Sequence, residues 1–286
     1  NDAQVRNPDI ASREEILKLY ASKIAIDPTI DFRKIALATR GFSGAQLENL
    51  INQAASIASQ AHKDLVTTED IEEAYDVIIF KGKVSPIKIS QEEKIAVAYH
   101  EAGHALVRVL FSDLTEPLHK VTIVPRGTSL GANHILPDEE KYSEYKDEMI
   151  ALVKVCLGGR IAEEIVFGAA NISGGASGDF DQATKIIRHM ICTVGMSDAV
   201  GPVVYTRSQS ESPEVLKEIS VILKKYYEET KQLLLKHRKQ LDVIAQELLR
   251  KEILTGQEIH DLVGMQPLPN RSKQAIMRHG GQMQPA

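Results

Sequence analysis

The sequence predicts a mainly α-helical protein of two domains that contains one small β-hairpin or sheet. Apolar residues recur at helical spacing along most of the 286 residues, capping residues precede several of these stretches, and a single segment is rich in β-branched residues. A composition of 43% hydrophobic and 26% charged residues is typical of a globular protein with a sizeable core. Because single cores stop growing past about 250 residues, this length favours two domains.

Four helices are predicted in residues 1–82, which form the first domain. The first begins near Arg13, and a short second helix begins at Phe32 and ends before Gly41. Ser43 is placed to cap the third helix, and Thr67 and Thr68 precede the fourth. The expected buried face of the third helix comprises Leu47, Leu50, Ile51, Ala54 and Ile57.

A linker is predicted over residues 83–91, where glycine and proline interrupt the helical pattern. The second domain is expected over residues 92–265 and opens with the helix EEKIAVAYHEAGHALVRVLF. The β-branched run KVTIVP, the turn RGTSLG and the extended ANHIL then predict a hairpin. The remaining helices are expected at 144–157, 159–167, 179–194 and from Pro213 to about Lys251. Residues 266–286 are rich in Pro, Gly, Gln and Asn, and this composition predicts a disordered tail.

Charge and cysteine content exclude several classes of protein. The net charge is −5 with both signs spread along the chain, which argues against nucleic acid as a partner. Cys156 and Cys192 lie in apolar helical patterns, so we expect two buried thiols in a reducing compartment, with one long-range disulfide as the alternative. The chain contains no secretory signal and no run of about 18 apolar residues, so this piece is expected to be soluble.

One motif predicts metal chemistry. His100-Glu101-Ala102-Gly103-His104 matches H-E-x-x-H, and residues four apart on a helix lie on one face, so both imidazoles can reach one ion. Glu101 lies one helical step away, where a carboxylate can take a proton from a water at the metal. The pattern therefore predicts a zinc peptidase; the alternative is that these side chains serve packing.

The third ligand is left open by spacing. A catalytic zinc has three protein ligands and one open position, but Leu110 stands where a closely following histidine ligand would be. The acidic candidates are Glu163 or Glu164 in GGRIAEEI and Asp179 in ISGGASGDFDQAT. Asp179 stands at the start of a predicted helix, so it is either a helix cap or a ligand that projects into a cleft.

Taken in order, seven segments resemble the FtsH family of AAA+ zinc proteases. Five of them resemble its peptidase domain and span about residues 92–206: AYHEAGHALV, HKVTIVPRGTSLG, LGGRIAEEIVFG, SGGASGDFDQATKIIRHM and GMSDAVGPVVY. Two earlier segments, PDIASREEILKLYASKI and GFSGAQLENLINQAA, resemble the helical lid of the family's ATPase module. The resemblance covers most of residues 8–265.

The resemblance implies a membrane-anchored homo-hexamer in which an ATPase ring unfolds proteins and threads them to zinc peptidase domains. Its substrates would be unfolded polypeptides or membrane proteins, at the cytoplasmic face of a bacterial inner membrane or at an organelle inner membrane. By the position of the family motif, Asp179 is the third zinc ligand beside His100 and His104. Glu163 and Glu164 would then orient a ligand or pair with Arg160.

The chain departs from the family pattern at several positions. The ATPase loop G-x-x-x-x-G-K-[ST] is absent from these residues, so ATP and Mg²⁺ are expected to bind only in a longer protein. Ser173 and Gly174 replace two threonines before Asp179. Tyr20 and Ser12 replace a histidine and a glycine of the lid. Gly44 and Ala45 match the lid turn that borders adenine, which predicts weak nucleotide contact.

Two alternatives remain open at this point. The hairpin near Val121–Leu136 either holds an unfolded substrate as an added strand or only covers the metal helix. The whole chain is either an endopeptidase or an assembly module with a structural zinc, which would need a fourth protein ligand such as His119 or His134. Because Glu101 serves a peptidase but not a structural site, the sequence favours the endopeptidase.

Overall fold

The computed structural model describes residues 7–79, 89–127, 129–137, 139, 143–206 and 209–268. Most of the predicted linker at 83–91 and of the predicted tail at 266–286 therefore lies outside the described residues. The chain divides into two compact units. The first contains Asn1–Lys88, Val124–Leu130 and Ile135–Lys141, and the second contains Ile89–Ile123, Gly131–His134 and Tyr142–Ala286.

Among its described residues, the first unit contains the four helices that the sequence predicts. They are α1 (Ile10–Ala21), α2 (Phe32–Ala38), α3 (Gly44–Gln60) and α4 (Thr68–Ile79). The first helix begins before the predicted Arg13 because the Asp9 carboxylate caps it by accepting a hydrogen bond from the Ser12 N–H. Ser43 and Gln46 form a reciprocal capping box at the start of α3, so the predicted cap is confirmed.

A small aliphatic core holds the first unit together. Of the predicted α3 face, Leu47, Leu50, Ile51 and Ala54 are fully buried and Ile57 is partly buried. Arg13 is also buried, and its guanidinium donates to the carbonyl oxygens of Ala36 and Pro8, each at 2.9 Å. The apolar face of α3 thus packs against buried residues of the other three helices, such as Leu17, Ala36 and Ile71.

The second unit contains six helices among its described residues. They are α5 (Gln91–Leu110), α6 (Lys146–Phe167), α7 (Ser177–Cys192), α8 (Pro213–Lys236), α9 (Arg238–Lys251) and α10 (Gly256–Val263). The predicted break at residue 158 is wrong, since α6 continues through Gly158 and Gly159, which pack closely against α5. The predicted single helix from Pro213 to Lys251 is also wrong: it is divided at His237, because α8 packs on α6 while α9 packs on α5.

In the part of the chain that the structure describes, the sheet has three strands, one more than predicted. They are β1 (Leu118–Thr122), β2 (Ala132–Ile135) and β3 (Ile253–Thr255), in the order β2-β1-β3. β3 pairs antiparallel with β1, with Val121 opposite Leu254. β3 was missed because three residues are too short to show an alternating pattern and their partner lies far earlier in the chain.

The two cysteines are free thiols, so the disulfide alternative is wrong. Cys192 is buried and Cys156 is partly buried, and burial raises the pKa of Cys156 to about 11. Both therefore contribute apolar packing rather than a reactive thiolate. Within the parts of the chain that the structure describes, no helix is both long and apolar enough to cross a membrane.

Candidate metal centre

Helix α5 carries the first part of the site. Ser90 and Glu93 form a capping box that fixes its start, and ten of its residues, Ala98 and all of 101–109, are buried within the second unit. Ala98, Ala102, Ala105 and Val109 of this helix are buried, and Ile95 is partly buried. The packed helix holds His100 and His104 one turn apart, with their rings at 77° and 4.7 Å between centroids.

Three ligand atoms converge in front of this helix. The Nε2 atoms of His100 and His104 are 3.0 Å apart. Asp179 Oδ2 lies 3.1 Å from the first of these nitrogens and 3.3 Å from the second. Among the described residues, this is the only cluster of three or more His, Cys, Asp or Glu side chains whose ligand atoms come this close together.

The size of this triangle fits zinc. A tetrahedral zinc with bonds of about 2.0–2.1 Å holds its ligand atoms about 3.3 Å apart. The three measured separations, 3.0, 3.1 and 3.3 Å, come close to one face of such a tetrahedron. Two nitrogens and one carboxylate oxygen are also a donor set that zinc prefers, so the residues present fit the metal.

Hydrogen bonds on the far side of each ring fix the tautomers that a metal needs. His104 Nδ1 lies 2.7 Å from the carbonyl oxygen of Val155, which can only accept, so Nδ1 carries the proton and Nε2 keeps its lone pair. His100 Nδ1 lies 2.7 Å from Glu163 Oε1 in the same arrangement. Both Nε2 atoms are thereby directed toward Asp179, where a bound metal would take the place of a proton and accept their lone pairs.

The two adjacent glutamates of α6 have different roles. Glu163 is buried and accepts from the backbone N–H of Ser173 at 2.7 Å and from its hydroxyl at 3.0 Å, in addition to facing His100. Glu164 instead bonds the hydroxyl of Tyr227 and the ammonium of Lys231. Of the two predicted functions, orienting a ligand therefore suits Glu163, while the ion pair of Glu164 is with Lys231.

The electrostatics of the cluster favour positive charge between the ligands. Burial lowers the pKa of His100, but hydrogen bonds with Asp179 and Glu163 outweigh it and raise that pKa to about 10. Burial likewise raises the pKa of Asp179, yet its hydrogen bonds with His100 and His104 hold it well below its usual range. A field that favours a proton on one imidazole also favours a divalent cation among all three groups.

Glycines bring α6 close enough to complete the site. A Cβ at Gly103 would lie 2.4 Å from the carbonyl oxygen of Gly158, and a Cβ at Gly158 would lie 2.7 Å from that of Gly103. One position further, a Cβ at Gly159 would lie 2.5 Å from His104 Nε2 and 2.6 Å from His100 Nε2. The two helices therefore meet backbone to backbone beside the ligands, and any side chain at Gly159 would crowd them.

Asp179 reaches the site from the first turn of α7. That helix begins at Ser177, two residues before the predicted 179, and its N-cap is Ala176, which makes no side-chain capping bond. Asp179 thus lies inside the helix and directs its carboxylate at the two histidines rather than at the helix terminus. The positive end of the helix dipole also stabilises a carboxylate in this turn.

Glu101 accepts a side-chain hydrogen bond that the sequence did not predict. Its side chain is 7% exposed, and burial raises its pKa, opposed by the neighbouring His104 and His100. Asn133 of β2 donates from Nδ2 to Glu101 Oε2 at 2.6 Å. A Cβ at Gly131 would lie 2.8 Å from Glu101 Oε1. No spacing rule connects positions 131 and 133 with position 101, so only the fold could identify them.

The other residues singled out by sequence lie elsewhere. His119 is on β1 and His134 is buried on β2, and neither belongs to the ligand cluster of the described residues. Gly44 and Ala45 form the first turn of α3 in the first unit, and their contact with nucleotide stays a prediction.

Comparisons with known protein families agree with this geometry. A model of peptidase family M41 matches residues 87–262, which is more than half of the chain. A model of the AAA+ lid domain matches residues 29–73.

Individual relatives are similar over most of the chain. ATP-dependent zinc metalloprotease FtsH of Bacillus subtilis is 39% identical over 286 residues, covering 94% of this chain and 44% of the relative. FtsH 2 of Methylacidiphilum infernorum is 38% identical, covering 98% and 46%. The human ATP-dependent zinc metalloprotease YME1L1 is 40% identical, covering 89% and 33%. The chain thus spans less than half the length of these relatives.

Proposed function

Since the chain belongs to peptidase family M41, we propose that it is the zinc-dependent endopeptidase portion of an ATP-dependent protease. The observation that carries the proposal is the convergence of His100 Nε2, His104 Nε2 and Asp179 Oδ2 within 3.0–3.3 Å of one another. Glu101, the residue after His100, adds a buried carboxylate to the same helix. Zinc ligands and a general base are thus supplied by one chain.

Each residue has a separate task in the proposed reaction. Zinc, when bound, supplies a Lewis acid that polarises the scissile carbonyl and lowers the pKa of a water toward about 7. Glu101 takes a proton from the attacking water and returns it to the leaving amine.

The ligands act through neutral imidazoles. Glu163 and the carbonyl of Val155 accept the Nδ1 protons of His100 and His104, so both Nε2 atoms offer lone pairs. Asp179 contributes the negative charge that the two imidazoles lack. Among the described residues no fourth ligand joins this cluster, which favours a catalytic site with an open position over the structural zinc alternative.

Edge strand β2 is the proposed place for an unfolded substrate. β2 lies at one edge of the sheet, and its Asn133 contacts Glu101. An extended peptide that paired with this edge would lie along the strand that faces the general base, and backbone pairing depends little on side-chain identity. In this proposal the same strand both covers the metal helix and receives the substrate.

We also propose the domain division that the sequence predicts: an ATPase lid over 1–82, a linker over 83–91, a peptidase domain over 92–265 and a tail over 266–286. The lid and peptidase matches, at 29–73 and 87–262, support it.

The longer protein is proposed to bind ATP and Mg²⁺, with weak nucleotide contacts from Gly44 and Ala45, and to form a membrane-anchored homo-hexamer. It would degrade unfolded or membrane proteins at the cytoplasmic face of a bacterial inner membrane or in an organelle, for protein quality control.

The experiment measures casein hydrolysis and bound zinc in parallel, in the ATPase-containing protein, for the parent, Glu101→Gln and Asp179→Ala. Glu101→Gln should keep its zinc and lose about 10²–10⁴-fold in rate, since it removes only the general base. Asp179→Ala should lose both zinc and cleavage because only two ligands remain. Cleavage by Glu101→Gln at the parent's rate would refute the mechanism.

A further inference from the structure

A single side chain outside the metal motif holds the general base. Asn133 Nδ2 donates to Glu101 Oε2 at 2.6 Å and to the backbone carbonyl oxygen of Glu101 at 3.2 Å. Both partners are acceptors, so the amide nitrogen must face them. One amide group thus contacts both the side chain and the backbone of the same glutamate, which restricts the rotation of its carboxylate.

The strand segment that carries Asn133 also limits the carboxylate from a second direction. A Cβ at Gly131 would lie 2.7 Å from Glu101 Cγ and 2.8 Å from its Oε1, so this carboxylate lies directly against the backbone at position 131. The contact at 2.6 Å joins a neutral donor to a carboxylate, and such charge-assisted bonds are short and strong. The hydrogen bond to Oε2 and the close backbone at position 131 together restrict the carboxylate on both of its oxygens.

We propose that Asn133 is a positioning residue of the peptidase: its amide holds the Glu101 carboxylate in the orientation that takes the proton from the attacking water. The inference rests on the proposed function, because it assigns Asn133 a role only through Glu101. Misplacing a reacting group by about 1 Å can cost about 10²-fold in rate, so the hydrogen bond acts on turnover rather than on substrate binding.

The first test separates turnover from binding and from folding. Asn133→Ala should lower kcat on a short fluorogenic peptide about 10–100-fold, with KM within about twofold and the zinc content unchanged. Asn133→Asp keeps the side-chain shape but replaces the donor by an acceptor, so its kcat should fall further. Asn52→Ala, the same truncation at an exposed position of α3, is the control and should match the parent.

The second test asks whether Asn133 acts through Glu101. A peptide hydroxamate binds the metal and donates a hydrogen bond from its hydroxyl to the general base. Its Kd therefore reports how well the Glu101 carboxylate is positioned, and no turnover is needed. Asn133→Ala should weaken hydroxamate binding about tenfold in the parent and change it less than about twofold in the Glu101→Gln background.

Two results would overturn the inference: a kcat of Asn133→Ala within about twofold of the parent, or an equal loss of hydroxamate affinity in both backgrounds. Failure of the proposed function looks different. In that case Glu101→Gln itself keeps full cleavage, whereas an inactive Glu101→Gln beside a fully active Asn133→Ala would refute the inference alone.

Discussion

The helical core of the first unit and the α5–α6 pair of the second are held together by different means. In the first unit, helices meet through aliphatic side chains such as Leu47, Leu50 and Ile51, all fully buried. In the second, α5 and α6 meet backbone to backbone, where a Cβ at Gly103 would lie 2.4 Å from the Gly158 carbonyl oxygen. A side-chain interface has room to relax after a substitution, and a backbone interface has almost none.

The difference between the two interfaces shows that the metal centre requires a fixed spacing between two helices. The ligands His100 and His104 are on α5, while Glu163 and the carbonyl of Val155, which orient them, are on α6. A shift between these two helices would move each imidazole away from the group that accepts its Nδ1 proton. The buried polar groups of the first unit, such as Arg13 and Asp70, bond within that unit and hold none of these ligands, so we expect substitutions in its core to change stability rather than zinc binding.

The largest effect is expected where the two backbones meet. Gly103→Ala places a methyl group within 2.4 Å of the Gly158 carbonyl oxygen and 2.7 Å of Ala162 Cβ, so the helices must separate. We expect a loss above the ~1–3 kcal/mol usual for overpacking, together with loss of bound zinc. Urea unfolding followed by circular dichroism, with zinc measured per chain, checks both.

Gly44→Ala is the matched control in the first unit. A Cβ there would lie 4.0 Å from the nearest atom, Ile16 Cδ1, and alanine favours helix over glycine by about 1 kcal/mol at interior positions. This variant should be as stable as the parent or slightly more stable. A Gly103→Ala protein with parental stability and full zinc would show that the backbone contact is not required.

The next largest effect is expected in the first unit, where a core substitution should lower stability without lowering zinc affinity. Leu50→Ala removes a fully buried side chain from the first unit, which should cost about 3 kcal/mol in the free energy of unfolding while zinc affinity stays unchanged. Leu19→Ala, at a position 58% exposed on α1, is the control and should cost far less. If Leu50→Ala also lowered zinc affinity, the two units would not respond independently, and the comparison would fail.

The same contrast explains how far the sequence could predict the molecule. Helices α1 to α4 were predicted well because their signals are local: Ser43 caps α3, and Leu47, Leu50 and Ile51 recur at helical spacing. Helix α6 was divided wrongly at Gly158 because helix propensity says nothing of the close approach to Gly103 that the glycine permits. At this position tertiary packing, rather than helix propensity, determines that α6 continues.

The site shows the same division between local and distant information. The pair His100 and His104 was evident from a spacing of four, whereas Asp179 was only one of three acidic candidates until a family resemblance was considered. Asn133 had no signal at all. Its amide reaches Glu101 through the pairing of β2 in the sheet, and that pairing depends on contacts between segments distant in the chain.

A smaller effect distinguishes two neighbouring glutamates of α6. Glu163→Gln replaces an oxygen that accepts from His100 or Ser173 by a donor, so zinc affinity should fall about 10–100-fold. Glu164→Gln is the control, because Glu164 bonds Lys231 and Tyr227 instead, and its zinc affinity should match the parent. Competition with a zinc chelator measures both. Equal losses in the two variants would contradict the role assigned to Glu163.

The smallest effect is expected at Asp70, a buried carboxylate of the first unit. Asp70 is buried and accepts from Lys63 Nζ at 2.8 Å and from the Thr67 N–H at 2.9 Å. Burial raises the pKa of Asp70, but these hydrogen bonds outweigh it and lower that pKa below its unfolded value of about 3.9. Asp70→Asn should therefore cost about 1 kcal/mol at neutral pH.

The sign of the pH dependence follows from the lowered pKa of Asp70. The unfolded chain binds the proton more readily, so the stability that Asp70 contributes is complete above about pH 5 and is lost as pH falls through its folded pKa. The difference between parent and Asp70→Asn should thus shrink toward zero in acid. Asp64→Asn, an exposed position before α4, is the control and should follow the parent at every pH. Urea unfolding of the three proteins from about pH 3 to pH 7 measures these free energies. A difference between parent and Asp70→Asn that grew in acid would contradict the assigned sign.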